Sequence, residues 1–562
     1  MLNPILLISS YSNLAKYVII MSFSAKPYLR GKGANMKRIV KRLLAVFLSM
    51  ILLFLIYSLY LTLHLKLYLP DKPITLKELT SAQKKEDFIR LTQYTRDYYP
   101  FSAELAAVKG LDEINSLATD YITRAEQSDT NAEFLRLFIE YTDRLRQAGH
   151  GGIQFPERYD FYQSYTMDIR KDAYLKSTYW KQMASTLSLY NHADICLEYR
   201  NGRYITTNDY NSNSLFIPAG SILKSVDNRN VDDYVLSLQD LIPLRYDEKN
   251  KKNFTTQVFL KDPVQKDGWI ADFILPDGSV VSTSVRRLPG YQDSGVSKFY
   301  PLDNIYLTTL NQTTGYIKIN TFEQAFIPSD NEKLQNFMKS NGEQLDKLII
   351  DVRGNTGGEL TYWMDLLLRP LLKEAVELKN ITAIKKAFLH NSEIRLPMYR
   401  LIYNNDLLDS KTHHLLAVRN SVLPALSIKE WQVYEITRKL TPCNTFPFHG
   451  EVFIIADNDS LSAADSFVTA VRELKLGTVV GANTYGWGNA FSGPMLFALP
   501  NSGLIFRMDI EAAYNTDGRI SSIYGTKPDI ELATSMYPTT CPKAYDADTL
   551  RSDEWILWCI NH

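Results

Sequence analysis

Two stretches of the sequence concentrate residue types that do chemistry. The first, Asp351-Val352-Arg353-Gly354-Asn355-Thr356-Gly357-Gly358, follows directly on the apolar run KLIIDV. Its three glycines let the backbone turn sharply and aim N–H groups at one spot, as an oxyanion requires. The second, Asn458-Asp459-Ser460-Leu461-Ser462-Ala463-Ala464-Asp465, stands between EVFIIAD and SFVTAVREL. It sets Ser462 at the amino end of a helix, where the dipole favours developing negative charge and the next residue, Ala463, offers an N–H. A nucleophilic Ser462 beside an oxyanion site built from Gly357 or Gly358 and Ala463 would perform acyl transfer. Each stretch taken alone also reads as local structure, the glycines as a turn and Ser462 as an N-cap.

The elements that must position these residues follow from the hydrophobic pattern. GYIKINTF, KLIIDVRG, EVFIIADN and GTVVGANT are short apolar strands separated by helical stretches such as SAADSFVTAVRELK, the rhythm of a parallel sheet with crossover helices. Residues 367–447 form a connection too long for an ordinary loop and read as an inserted helical subdomain or lid. Ahead of the sheet, residues 75–150 carry apolar residues at three- and four-residue intervals, with Ser128-Asp129-Thr130-Asn131 as capping chemistry. Between about 188 and 288 the pattern shortens to strands, including a hairpin around Pro276-Asp277-Gly278. The expected fold is a mixed α/β multidomain chain. Its parts are a helical domain (71–155), a β module (185–290), an α/β core (300–366 and 448–536) with the insertion (367–447), and a tail (537–562).

The chain has 562 residues, of which 45% are hydrophobic, ample apolar mass for more than one core. Its 62 Lys+Arg balance 62 Asp+Glu, so no net field exists to collect a nucleic-acid backbone. Cys196, Cys443, Cys541 and Cys559 never approach the spacing of a metal framework, and no cofactor is implied. Residues 43–63 carry no charge. About 20 such residues at ~1.5 Å each cross a ~30 Å hydrocarbon layer. Lys37, Arg38, Lys41 and Arg42 precede the stretch, whereas only His64 and Lys66 follow closely. The positive-inside rule then keeps residues 1–36 cytoplasmic and makes residues 37–70 a membrane anchor with everything after it outside the cytoplasm. Met36-Lys37-Arg38 looks like a natural start, so residues 1–35 read as a misassigned extension.

In combination these motifs are specific. A helical region, a β module, GYIKINTF, DVRGNTGG, LSAADSF, VVGANTYGWG and YGTKPDIEL follow in that order over roughly residues 75–535. This arrangement resembles the serine protease family of carboxyl-terminal processing (tail-specific) proteases and the tricorn protease core. The resemblance implies a protease core of ClpP/crotonase-like type, a seryl nucleophile at Ser462 and peptide or unfolded protein substrates. It also implies a PDZ-like module in which Gly220, Ser221 and Ile222 of PAGSILKSVDN belong to the peptide-binding segment.

The base is where members of such a family differ. The lysine of the processing proteases falls on Trp487, and an indole is no base. The histidine of the tricorn-like members falls on His150 in Ala148-Gly149-His150-Gly151-Gly152, and an imidazole can take the seryl proton near neutral pH. The glutamate of those members falls on Ser522. Ser522 is therefore one candidate to orient the ring, and Glu511 or Asp509 on FRMDIEAAY would supply a carboxylate instead. Two rival functions stand beside a serine endopeptidase: an inactive relative that binds peptides, and a non-proteolytic Ser-His hydrolase.

Overall fold

The computed structural model describes residues 74–155, 171–288, 303–390 and 430–562, apart from 188–190, 194, 213–214, 262–267, 444–445, 489–493, 516, 533–535 and 538–544 within them, together with residues 48, 49, 52 and 55. The anchor expected over residues 37–70 thus lies almost wholly outside the described residues. Among the described residues no helix is long and apolar enough to cross a membrane.

The amino-terminal region is helical, led by α1 (Ser81–Tyr98) and α2 (Asn131–Asp143). Thr130 caps α2, its side chain accepting from the Glu133 N–H at 3.2 Å. Phe88 and Leu91 of α1 and Phe134 and Phe138 of α2 are fully buried in one cluster. Past α2 a short 3-10 turn leads through His150 into strand β1 (Gly152–Gln154).

The β module follows. Strands β2 (Leu197–Arg200), β3 (Arg203–Thr206), β4 (Ile222–Val226), β5 (Trp269–Ile274) and β6 (Val280–Val285) lie in the order β6-β5-β4-β3-β2, all antiparallel, with helix α3 (Val231–Leu236) after β4. The expected hairpin joins β5 to β6, with Gly278 at φ 86° in the turn.

The core sheet runs β7 (Ile305–Thr309), β8 (Thr314–Ile319), β9 (Lys347–Asp351), β12 (Glu451–Ala456), β13 (Thr478–Gly481) and β17 (Ile530–Glu531). Only β7 pairs antiparallel; the other neighbours are parallel. Residues alternate between two faces, which is why these strands are apolar throughout. Leu348, Ile350 and Ile454 pack beneath α4 (Ile327–Asn341) and α5 (Ala463–Glu473), whereas Ile349, Phe453 and Ile455 meet Trp555 and Ile556 of the terminal helix α6 (Glu554–Asn561). Three layers result. Because β9 and β12 are parallel neighbours, their carboxyl ends deliver the glycine stretch and the serine stretch side by side.

The insertion departs from the helical expectation at its described ends. Strands β10 (Val376–Lys385) and β11 (Trp431–Leu440) form a long antiparallel ribbon, and β10 also pairs with β16 (Glu511–Tyr514). The alternating apolar and polar residues of VELKNITAIK suit a half-buried strand, not a helix face. A last small sheet joins β1 to β15 (Ile505–Met508) and β15 to β14 (Met495–Ala498). Phe497 and Phe506 of this sheet pack against Tyr94 and Phe138 of the helical region, fixing the two together.

Candidate active site

Ser462 stands between β12 and α5 with φ 58° and ψ −121°, a left-handed conformation that costs a non-glycine residue about 1–3 kcal/mol. Neighbouring strand ends enforce it. Its N–H donates to the Gly486 carbonyl at 2.8 Å, and the preceding Leu461 N–H donates to the Asn355 carbonyl at 3.0 Å. The Ser462 hydroxyl makes no capping bond to α5. The N-cap reading of this serine is therefore set aside; the side chain faces His150 instead.

His150 Nε2 lies 3.0 Å from Ser462 Oγ. On the far side of the ring, Nδ1 lies 3.1 Å from Asp509 Oδ2, and the His150 backbone N–H donates to that same oxygen at 2.9 Å. Asp509 is buried, whereas the imidazole keeps 18% of its side-chain exposure. The contact depends on Gly149: at φ 103°, any Cβ there would stand 2.3 Å from Asp509 Oδ2. Tyr99 completes the pocket, donating to the Leu145 carbonyl at 3.1 Å. Burial, and second the Asp509 carboxylate, push its hydroxyl well above the ordinary phenol range.

The glycine stretch meets the serine closely, and here one expectation is corrected. The Gly357 N–H donates to the Asn355 side chain at 2.8 Å, so Gly357 is not a free oxyanion donor. Its contribution is the hydrogen in place of a side chain. A Cβ at Gly357 would stand 2.8 Å from the Ala463 nitrogen and 2.8 Å from Ser462 Cβ, filling the space in front of that amide. Gly358 pairs with Phe322 through the Gly357 carbonyl and the Glu359 N–H. Backbone groups alternate in direction along an extended segment, so the N–H of Gly358 points away from Phe322.

Buried polar groups brace this arrangement. The Asp465 carboxylate accepts from Thr484 Oγ1 at 2.5 Å, Thr526 Oγ1 at 2.7 Å, Ser521 Oγ at 2.8 Å and the Gly488 N–H at 3.1 Å. It thereby ties the first turn of α5 to the Gly486-Trp487-Gly488 turn. Burial pushes its carboxyl above the usual range despite these four donors. Behind the glycine stretch, Asp351 pairs with Arg353 at 2.7 Å, and Arg353 reaches Asp553 beside α6 at 3.0 Å. Burial opposes ionisation of Asp351, but the charges of Arg353 and Lys318 more than offset it and hold its carboxyl low.

The remaining expected residues lie elsewhere. Glu511 is not the orienting group: its carboxylate accepts from Thr382 Oγ1 at 3.3 Å on β10. Ser522 does not reach the ring either; it is buried in the short helix Ser521–Tyr524. Gly220, Ser221 and Ile222 sit together on the module. The Ser221 N–H is taken by Thr206 Oγ1 at 3.0 Å, and Ile222 has a strand on each side, opposite Ile205 and Ile274. Ile222 therefore offers no open backbone edge to an added strand.

Residues 313–532 match the sequence profile of peptidase family S41. No curated protein matches the chain. Among solved structures, mature CPAF is 14% identical over 85% of this chain and 96% of its own, with a TM-score of 0.50, a likeness of fold. Mature CPAF complexed with lactacystin is 14% identical over 86% of this chain and 97% of its own, at a TM-score of 0.48. The photosystem II D1 C-terminal processing protease is 11% identical over 80% and 93% of the two chains, at 0.35. The matched segment contains Ser462 and Asp509, and by it the chain carries a peptidase family S41 domain and is a serine-type peptidase.

Proposed function

We propose that this chain is a membrane-anchored, extracytoplasmic serine endopeptidase in which Ser462 is the nucleophile, His150 the base and Asp509 the group that orients and charge-stabilises the imidazole. The observation that carries this reading is the line of three side chains, Ser462 Oγ to His150 Nε2 at 3.0 Å and His150 Nδ1 to Asp509 Oδ2 at 3.1 Å. His150 takes the seryl proton as Ser462 attacks the scissile carbonyl, and the Gly358 and Ala463 amides receive the negative charge that develops on its oxygen. His150 then returns the proton to the leaving amine. Water, deprotonated by the same ring, releases the acyl group.

An inert peptide-binding relative was suggested by the absent lysine and glutamate. Asp509 supplies the missing carboxylate and speaks against that reading. We read the β module as a PDZ-like platform for the substrate. The uncharged residues 43–63 behind Lys37, Arg38, Lys41 and Arg42 support the anchored orientation.

Labelling by a serine-reactive fluorophosphonate tests the chemistry. The wild type takes the label, and neither Ser462→Ala nor His150→Ala does so at a comparable rate. A folded wild type without label at any pH overturns the reading. Digestion of a peptide library separates an endopeptidase from a hydrolase of other esters or amides. Protease added to intact cells tests orientation: residues beyond about 70 should be cut while cytoplasmic markers stay protected.

A further inference from the structure

Trp487 occupies a position that its backbone alone does not favour. It adopts φ 67°, next to Gly486 at φ 99°, where glycine or asparagine would be the inexpensive choice. The turn is pinned on both sides, by the Ser462 N–H on the Gly486 carbonyl and by the Gly488 N–H on Asp465. The indole therefore has a fixed origin. Its ring lies against His150, with centroids 5.3 Å apart and planes tilted by 56°. On its other flank Tyr485 meets it edge-on at 5.0 Å, and the Arg245 guanidinium lies over the Tyr485 ring at 4.4 Å. Among the described residues the buried indole N–H has no hydrogen-bond partner.

We propose that Trp487 is a positioning residue for His150, holding the ring between Asp509 and Ser462 and stabilising, through its π face, the imidazolium formed at each proton transfer. The proposal rests on the Ser462–His150 reading. A cation within about 6 Å of an indole centroid is attracted by the ring quadrupole, and more strongly where water is partly excluded. The groups around the ring are Asp509 at Nδ1, with Tyr99 beyond it. Tyr485, which meets the indole edge-on, in turn feels the charges of Arg245, Arg146 and Asp459. Among the described residues the imidazole meets Asp509 at Nδ1, Ser462 at Nε2 and the Trp487 ring, and of these three the carboxylate and the indole can favour the charged ring.

The test uses the full-length chain and the rate of fluorophosphonate labelling between about pH 5 and pH 9. Trp487→Phe keeps a π face and labels within a few-fold of wild type. Trp487→Leu keeps bulk without π electrons; its rate falls about 3- to 30-fold and its pH profile moves to lower pH, because the imidazolium has lost support. A folded Trp487→Leu with the wild-type rate and profile overturns the proposal.

A second measurement needs neither activity nor folding of the leucine variant. The emission difference between wild type and Trp487→Phe isolates Trp487, which imidazolium quenches. That difference should titrate with pH and cease to do so in the His150→Gln background. A pH-independent difference overturns the contact. If the wild type takes no label while Trp487 still titrates with His150, the nucleophile reading fails and the contact stands.

Discussion

His150 and Asp509 face one another because β1 pairs with β15. That antiparallel register sets Gln154 opposite Ile505 and Gly152 opposite Arg507, and two residues beyond this last pair on each chain the His150 N–H and Nδ1 meet the Asp509 carboxylate. His150 thus comes from the helical region and Asp509 from the end of the core. A single strand pairing aligns them, and the serine arrives independently on the parallel sheet. Asp509 and Glu511 are both buried carboxylates, and they part company at Ile510. Before it the chain pairs with β1; after it, β16 pairs with β10.

Asp509→Asn should therefore cost far more than Glu511→Gln. An amide at 509 cannot stabilise the imidazolium and favours the wrong tautomer, which in triads of this kind lowers the rate about 10³- to 10⁴-fold. Glu511→Gln keeps an acceptor for Thr382 and should stay within a few-fold of wild type. Fluorophosphonate labelling rates of the two folded variants check this, and equal losses would return Glu511 to consideration.

Gly357→Ala should label poorly even where it folds. Its methyl group would occupy the space in front of the Ala463 amide, at a backbone φ of 91°. Losing one oxyanion donor costs about 100- to 1,000-fold in rate. Stability should fall as well, so labelling is compared at a temperature where both proteins are folded by circular dichroism. Undiminished labelling would mean that the oxyanion is held elsewhere.

The strand-end geometry was legible because it is local. Three glycines after an apolar strand and a serine before an amphipathic helix carry their meaning within a few residues, and parallel pairing of β9 with β12 brings the two stretches together. The carboxylate was not legible in the same way. Asp509 and Glu511 share strand parity, so alternation cannot separate them; only the partner strands do. The donor inventory at Gly357 also escaped, because the Asn355 side chain folds back on it. Reading residues 367–447 as helical missed the period-two pattern of β10.

Arg245 should matter for rate although it lies outside the catalytic line. It sits beyond β4 in the module and pairs with Asp459 at 2.6 Å, while also donating to the Asn458 carbonyl in the serine stretch, five residues before Ala463. Arg245→Ala should slow labelling about 3- to 30-fold, the effect of losing one well-formed charged contact that shapes the serine stretch. Arg245→Lys should recover little, because a single ammonium cannot serve Asp459, the carbonyl and the Tyr485 face together. Wild-type rates in both variants would show that the module and the serine stretch are independent.

Lys109 links stability to pH at the base of the His150 loop. Fully buried, it donates to the carbonyls of Gln147 at 3.2 Å and Leu244 at 3.2 Å. Burial, and second the charge of Arg245, push its amine down from 10.5 to about 7. In the unfolded chain the amine binds its proton up to the ordinary value, whereas in the folded chain it gives the proton up near neutrality. Between about 7 and 10.5 the unfolded state therefore holds more protons than the folded state, and stability rises with pH across that window. Below it, Lys109 is charged in a buried site, at a cost on the order of a few kcal/mol. The neutral amine still has two N–H groups for its two carbonyls, so raising the pH relieves the charge without breaking these bonds. Lys109→Met loses both bonds and the titration together. Its melting temperature should be offset from wild type, and the upward slope between about pH 7 and pH 10 should flatten relative to wild type. Thermal unfolding of both proteins across that range decides the matter. Parallel profiles would mean that Lys109 carries its proton in the folded chain as it does in water.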